Sequence, residues 1–418
     1  MSGKLSEQKC SACGAPLRFD PASGRSVCDW CGSSYEISEE GELGQGGDRP
    51  ELEKPATLPV YNCKSCGAEI VTEATTASVQ CPYCGNNIVL TEQVSGGLFP
   101  DGLIPFKFDK KQLPDEVNKF YKNKKLMPKG FFTESTLEDA AGIYVPYWVF
   151  DTDLEGRLEY DCYKDSEHRE GDYIVTERAH YDVKRDVSMR FEKVPVDASE
   201  KLDDKLMESV EPFDYSGLKP FDMSYLSGFF ADRFDKGSDA VKGRAMDRMN
   251  ESAYSIADSD AYKGYSGSER KGGKLSPKNV NAKYMLLPVY TFGIKWGDKK
   301  YDFAMNGQTG KVVGEVPRSA GKTALLWLLS FLITFAVTLL VLWLFVGWQV
   351  FISIIVGAIA ATVITLVEVS KMKTVHSAYG ARQYLVDNSV AIRRVADAYS
   401  HTETNRTYSP VKKEESNN

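Results

Sequence analysis

Eight of the nine cysteines fall into two matching sets. Cys10, Cys13, Cys28 and Cys31 read CxxC-x14-CxxC, and Cys63, Cys66, Cys81 and Cys84 repeat that spacing 53 residues later. A glycine follows each pair: Gly14, Gly32, Gly67 and Gly85. Two cysteines three apart wrap one side of a metal ion in a tight knuckle. The glycine permits the backbone geometry that turns amide N–H groups toward the sulfurs. Two knuckles joined by a short hairpin complete a tetrahedral four-thiolate site, the arrangement of structural zinc. Two Zn2+ are therefore expected. Four thiolates leave no open position for water, so neither ion is expected to be catalytic. A disulfide framework is the competing use. The polar stretch 1–9 contains no apolar run of the kind an export signal needs, which favours reduced thiols and metal. Each ribbon has almost no apolar core, so the ion must supply the folding energy, about 10–16 kcal/mol.

Zinc ribbons commonly bind nucleic acid or dock proteins, and charge separates the two. Residues 1–40 carry Lys4, Lys9, Arg18 and Arg25 against Glu7, Asp20, Asp29, Glu36, Glu39 and Glu40, a net of −2. Residues 57–92 carry Lys64 against Glu69, Glu73 and Glu92, again −2. A zinc ion with four thiolates adds about two more negative charges. The whole chain has a net charge of −7. Phosphate backbones are bound by Lys and Arg clusters, and none is present here. Protein docking is the expectation and nucleic acid is disfavoured.

The elements that position these residues follow in order. Residues 1–40 form the first ribbon, 41–56 (GELGQGGDRPELEKPA) a flexible linker, and 57–94 the second ribbon. Beyond Ser95-Gly96-Gly97, residues 98–317 mix patterns. Apolar residues recur three or four apart in 110–125, which reads as a helix, and a short helix is expected at 202–210 and a longer one at 238–258. Strand-like alternation runs from Ile143 to Tyr160, over 173–196 and over 284–316, with turns at Gly297-Asp298 and Asn306-Gly307. The glycine-rich run 262–274 reads as a mobile loop. Together these predict an α+β domain with a mainly antiparallel sheet.

Residues 323–367 contain no Asp, Glu, Lys, Arg or His over 45 positions. One span needs about 20 apolar residues, so 320–370 is expected to be a transmembrane hairpin with helices at 323–345 and 349–369. The turn lies at Gly347. Arg318 and Lys322 flank one end, and Lys371 and Lys373 the other. Basic flanks stay cytoplasmic. The predicted location is therefore the cell membrane, multi-pass, with both termini and the tail 371–418 cytoplasmic. Trp343 and Trp348 bracket the outer turn as an aromatic belt would.

Little else points to chemistry. NGQTGK at 306–311 and SAGKT at 319–323 suggest phosphate-binding loops, but Met305 and Val316 stand where the first glycine is required. Asp151, Asp153 and Glu155 open like a calcium loop, but its twelfth position is Cys162 rather than Glu. His168, His180, His376 and His401 are scattered. No catalytic constellation emerges, and the chain does not read as an enzyme.

With these pieces in place the chain resembles a bacterial family of TFIIB-type zinc-ribbon membrane proteins. The segments that carry the resemblance are the two CxxCG ribbons, GIYVPYWVFD at 142–151, KPFDMSYLSGFFAD at 219–232, and FAMNGQTGKVVGEVP at 303–317. Some members are labelled as primosomal-helicase-like. The resemblance implies a membrane anchor that helps recruit a phage-shock-type envelope-stress protein, and so an adaptor role. The alternative is a membrane-tethered nucleic-acid-binding regulator.

Overall fold

The structure is a computed structural model and describes residues 5–6, 9–37, 42–46, 60–62, 69–72, 75–81, 87–90, 99–133, 137, 140–345, 350–375 and 380–409. Its strands begin with β1 (Leu5–Ser6), β2 (Arg18–Asp20), β3 (Arg25–Val27), β4 (Ser34–Tyr35), β5 (Val60–Asn62), β6 (Glu69–Val71), β7 (Thr76–Gln80), β8 (Asn87–Leu90) and β9 (Gly102–Leu103). Helix α1 (Leu113–Lys122) carries Pro114 in its first turn, where the missing N–H costs nothing. Asp115 and Glu116 lie at its positive end and Lys119 and Lys122 at its negative end. Then come β10 (Ala141–Glu170), β11 (Tyr173–Asp197), α2 (Asp204–Val210), β12 (Phe230–Asp232), α3 (Ser238–Ala261), β13 (Gly267–Trp296), β14 (Lys299–Asn306) and β15 (Val312–Gly314). The carboxylate of Asp203 caps α2, accepting the Leu206 N–H at 2.8 Å. Helices α4 (Ala320–Phe345) and α5 (Val350–Ser370) precede the last strand, β16 (Ala391–Tyr408).

Two compact units share the chain. The first comprises residues 1–148, 197–237 and 283–378, and the second 149–196, 238–282 and 379–418. Residues 98–317 are thus divided between them. In the first unit the strands are ordered β1-β8-β7-β12-β10-β13-β14-β15, with β9 beside β13. This sheet is mixed, which corrects the expectation of a mainly antiparallel one. Strand β12 runs parallel to β10, Ile143 facing Phe230, and β9 runs parallel to β13, Met285 facing Gly102. Parallel neighbours need crossover connections rather than tight turns, and the long segments before β12 and β13 supply them. Trp148, Tyr144, Tyr147, Tyr284, Tyr290 and Phe106 are fully buried in this unit. The Trp148 indole N–H donates to the Lys236 carbonyl at 2.8 Å. The NGQTGK stretch is a structural turn here. The Asn306 amide donates to the Val210 and Pro212 carbonyls at 3.2 and 3.1 Å, and Lys311 donates to the Glu211 carbonyl.

The helix pair also belongs to the first unit. Ser353, Gly357, Ala361 and Thr365 recur every four residues on α5 and are its buried positions. Small side chains at that spacing let helices approach closely. A Cβ on Gly357 would lie 3.3 Å from the Phe335 backbone of α4. Thr334 Oγ1 donates to the Gly357 carbonyl at 3.3 Å, and the Trp327 indole N–H to Thr362 Oγ1 at 3.2 Å. The other faces, including Leu328, Leu332, Ile333, Ile355 and Ile359, are exposed. At the base, the segments entering and leaving the pair bond to each other. The Val316 N–H donates to the Met372 carbonyl at 3.1 Å, and Lys373 pairs with Glu315 at 2.7 Å. Lys322 donates to the Met127 carbonyl at 2.7 Å, and Lys124 to the Lys371 carbonyl. Residues 346–349, where Gly347 was expected to turn the chain and Trp348 to flank it, lie outside the described residues.

In the second unit β11 pairs antiparallel with β16, from Tyr173 against Tyr408 to Ser188 against Ala391. The tail 371–418 therefore contributes a long strand, Ala391–Tyr408, to this unit. The glycine-rich run expected as a loop instead enters β13 at Gly267. Gly273 has φ +89°, and a Cβ there would lie 2.1 Å from the Arg157 carbonyl oxygen. Glycine at this position serves close backbone approach rather than mobility.

Candidate metal centre

The first ribbon is the antiparallel sheet β2-β3-β4. Its hairpin turns at Gly24, φ +69°, whose N–H donates to the Asp20 carbonyl at 2.8 Å. The two knuckles lie on either side of this hairpin and match in geometry. The Gly14 N–H donates to the Cys10 carbonyl at 2.8 Å, and the Gly32 N–H to the Cys28 carbonyl at 2.9 Å. The Cys10 N–H donates to the Ala15 carbonyl at 2.7 Å, and the Cys28 N–H to that of Ser33 at 2.8 Å. Gly14 and Gly32 have φ of +75° and +74°, a conformation that explains glycine after each CxxC.

The knuckles bring all four sulfurs of Cys10, Cys13, Cys28 and Cys31 within 4.8 Å of one another. Cys10 Sγ lies 3.5 Å from Cys31 Sγ, and Cys13 Sγ 3.5 Å from Cys28 Sγ. A tetrahedron of sulfurs about 2.3 Å from zinc has edges of about 3.8 Å, so donor type and spacing both fit Zn2+. Cys10 and Cys28 are buried beside Leu17, with Ala15 and Tyr35 packed against them. Cys13 and Cys31 face solvent.

Groups around two of the sulfurs, Cys10 and Cys31, favour the ionised form. The Tyr35 hydroxyl lies 3.2 Å from Cys10 Sγ. That bond, with backbone hydrogen bonds at Cys13 and Ala12, lowers the Cys10 thiol to about 6. The Ser33 hydroxyl, 3.2 Å from Cys31 Sγ, lowers Cys31. Cys13 also has a lowering backbone hydrogen bond, at Ala15, but desolvation and the three neighbouring sulfurs push it up to about 12. Four thiolates this close repel one another unless a cation sits among them. These hydroxyls tune and orient the ligands in the way outer partners of metal sites do. CxxC spacing alone does not identify Tyr35 and Ser33 as such partners. Their place four and two residues after the last cysteine is the only signal in the sequence.

The ribbon's arginines are already occupied. The Arg18 Nε–H donates to both carboxylate oxygens of Asp29, at 2.9 and 2.7 Å, and Arg25 pairs with Glu36 at 3.0 Å. Trp30, between the two cysteines of the second knuckle, is 86% exposed. Phe19, on β2, is buried instead, its ring 5.1 Å from that of Tyr225.

Of the second set, Cys81 is described, buried with Tyr61, Ile70, Ile88 and Leu90. Cys63, Cys66 and Cys84 lie outside the described residues. One four-cysteine site is therefore present among the described residues, where two were expected. Strands β5 and β6 pair antiparallel, as do β7 and β8. Strand β7 also pairs with β12 and β8 with β1, so this hairpin is part of the first unit's sheet, between β1 and β12. Cys162 is buried in the second unit, its thiol 3.6 Å from the Ala261 carbonyl. Burial pushes it up to about 11, as for an inert core cysteine.

No family model matches the chain, and no solved structure matches it. It is 35% identical over 319 residues to a Bacillus subtilis (strain 168) protein named "Uncharacterized protein YdjG". The match covers 76% of this chain and 91% of that protein, so it takes in far more than the ribbons. The chain belongs to the same family as YdjG.

Proposed function

We propose that this chain is a membrane-anchored adaptor with its zinc ribbons facing the cytoplasm. Helices α4 and α5 cross the bilayer as a hairpin, and a protein partner docks on the ribbon. A phage-shock-type envelope-stress protein is the partner class the family resemblance implies. Cys63, Cys66, Cys81 and Cys84 hold the second structural zinc.

Trp30 carries this proposal. The four-thiolate site beneath it offers no open coordination position, so the ribbon has no chemistry of its own to perform. What it presents is an indole 86% exposed on a rigid knuckle. Tryptophan is the residue type most enriched at the energetic centre of protein interfaces. With Arg18 and Arg25 both held by carboxylates, the ribbon has little to offer a phosphate backbone.

Two features support the anchor. Ala320–Leu344 and Val350–Ser370 are each long and apolar enough to cross a membrane. Their exposed faces are rows of Leu, Ile and Val, whereas a core helix of a water-soluble protein would bury them. The bonds joining 314–316 to 372–374 keep entry and exit together, as a hairpin with both ends on one side requires. Tethering then raises the partner's effective concentration at the membrane.

Chemical crosslinking of membranes from cells expressing the full chain or Trp30→Ala tests the docking proposal. The variant is expected to keep its zinc and membrane content and to lose the crosslinked partner. Equal partner recovery would refute docking through the ribbon.

A further inference from the structure

We infer that His180, His401 and Glu403 form a second kind of metal site, binding one Zn2+ between the tail strand and β11. The pairing of β11 with β16 places His180 directly opposite His401. A register shift follows, since Tyr181 faces Tyr399 and Ser400 is the extra residue. Such bulges redirect side chains. The two imidazoles lie face to face, centroids 4.6 Å apart and planes 7° from parallel.

Each ring has one nitrogen engaged and one left over. His180 Nδ1 lies 3.0 Å from Asp161 Oδ1, and Lys271 holds the other Asp161 oxygen at 3.3 Å. His401 Nδ1 lies 3.2 Å from Ser400 Oγ. The remaining nitrogens approach one carboxylate: His180 Nε2 is 3.9 Å from Glu403 Oε2, and His401 Nε2 is 3.7 Å from Glu403 Oε1. His180 Nε2 is buried and has no hydrogen-bond partner among the described residues. The three ligand atoms lie within 4.8 Å of one another.

This is the pattern of a histidine–carboxylate zinc site. A ligating imidazole usually gives its other N–H to a carboxylate, which fixes tautomer and orientation, and Asp161 stands in that place for His180. Ligand atoms about 2.0–2.2 Å from zinc lie about 3.3 Å apart in a tetrahedron. The stacked rings are parallel, so their in-plane lone pairs converge on one ion only when the His401 ring turns out of the stack, and the exposed side chains of His401 and Glu403 leave room for that turn. His180, pinned by Asp161, is the fixed ligand. An ordinary cross-strand histidine pair would not leave a buried nitrogen unpaired beside a carboxylate. Three protein ligands leave a fourth position for water, unlike the closed cysteine site. Because the ligands come from two strands, the ion would pin β16 to β11 within the second unit.

The test uses the full chain in detergent, equilibrated with buffered Zn2+ and assayed for zinc per chain by mass spectrometry. Wild type is expected to hold one more zinc than the His180→Gln/His401→Gln variant. His168→Gln, which alters a histidine outside the cluster, is expected to match wild type. Equal zinc in wild type and the double variant would overturn the inference. A second measurement does not depend on variants folding. The chain has four histidines, so long-range proton–nitrogen spectra of histidine-labelled wild type resolve each ring. Zn2+ is expected to shift Nε2 of two of them while Nδ1 keeps its proton. An unchanged spectrum on adding Zn2+ would equally overturn it.

Discussion

The first ribbon and the helix pair both expose apolar side chains, but in different ways. The ribbon presents one tryptophan, Trp30, on a surface otherwise built of charged pairs. The helix pair presents rows of Leu, Ile and Val along both helices. A single exposed aromatic on a rigid loop suits a protein partner, whereas a continuous apolar surface suits hydrocarbon as its solvent. The means of stabilisation differ as well. The ribbon's own apolar cluster is little more than Cys10, Leu17 and Cys28, with Phe19 buried against Tyr225 outside it, and it depends on an ion. The helices depend on the stripe of Ser353, Gly357, Ala361 and Thr365 and need none.

Metal removal should break this comparison most sharply. Zinc contributes about 10–16 kcal/mol to ribbons of this type. Chelation is therefore expected to abolish hydrogen-exchange protection in 9–37 and leave α4 and α5 protected. Loss of protection in both together would mean that the ribbon is not an independent metal-held element. Phe19→Ala comes next. Phe19 is buried against Tyr225, and truncating a buried phenylalanine costs about 3–5 kcal/mol. The expected outcome is a lower melting temperature with zinc content unchanged. Zinc loss at the native temperature would show that this contact, and not the knuckles, holds the sulfurs in place.

The sequence showed the sulfur ligands because their constraint is local. Cys10, Cys13, Gly14, Cys28, Cys31 and Gly32 each act over a few residues, and spacing records that. The apolar run of the helix pair is legible for the same reason, since a run long enough to cross a bilayer shows directly in the order of residues. The hidden features are non-local. Nothing near Phe230 shows that β12 lies parallel to β10. The glycines of 262–274 look like a loop until Arg157, over a hundred residues earlier, is seen against Gly273. His180 and His401 seem scattered because β11 and β16 are joined only by the fold.

Smaller effects sharpen the contrast. Tyr35→Phe removes the hydroxyl beside Cys10 Sγ. Losing such an outer partner costs about 10–100-fold in metal affinity, measurable by competition with a chelator of known affinity. An unchanged affinity would place Tyr35 outside the machinery of the site. Thr334→Val removes the bond to the Gly357 carbonyl. Bonds of this kind between membrane helices average about 0.6 kcal/mol. A correspondingly small rise in unfolding by denaturing detergent is expected, with no change in zinc.

Protease protection in membrane vesicles of known orientation tests the central claim most directly: that the hairpin holds the ribbon and the rest of the chain on the cytoplasmic face. With epitope tags at both termini, digestion of inside-out vesicles is expected to remove both tags, and right-side-out vesicles to protect both. Removal of either tag from intact right-side-out vesicles would contradict the account.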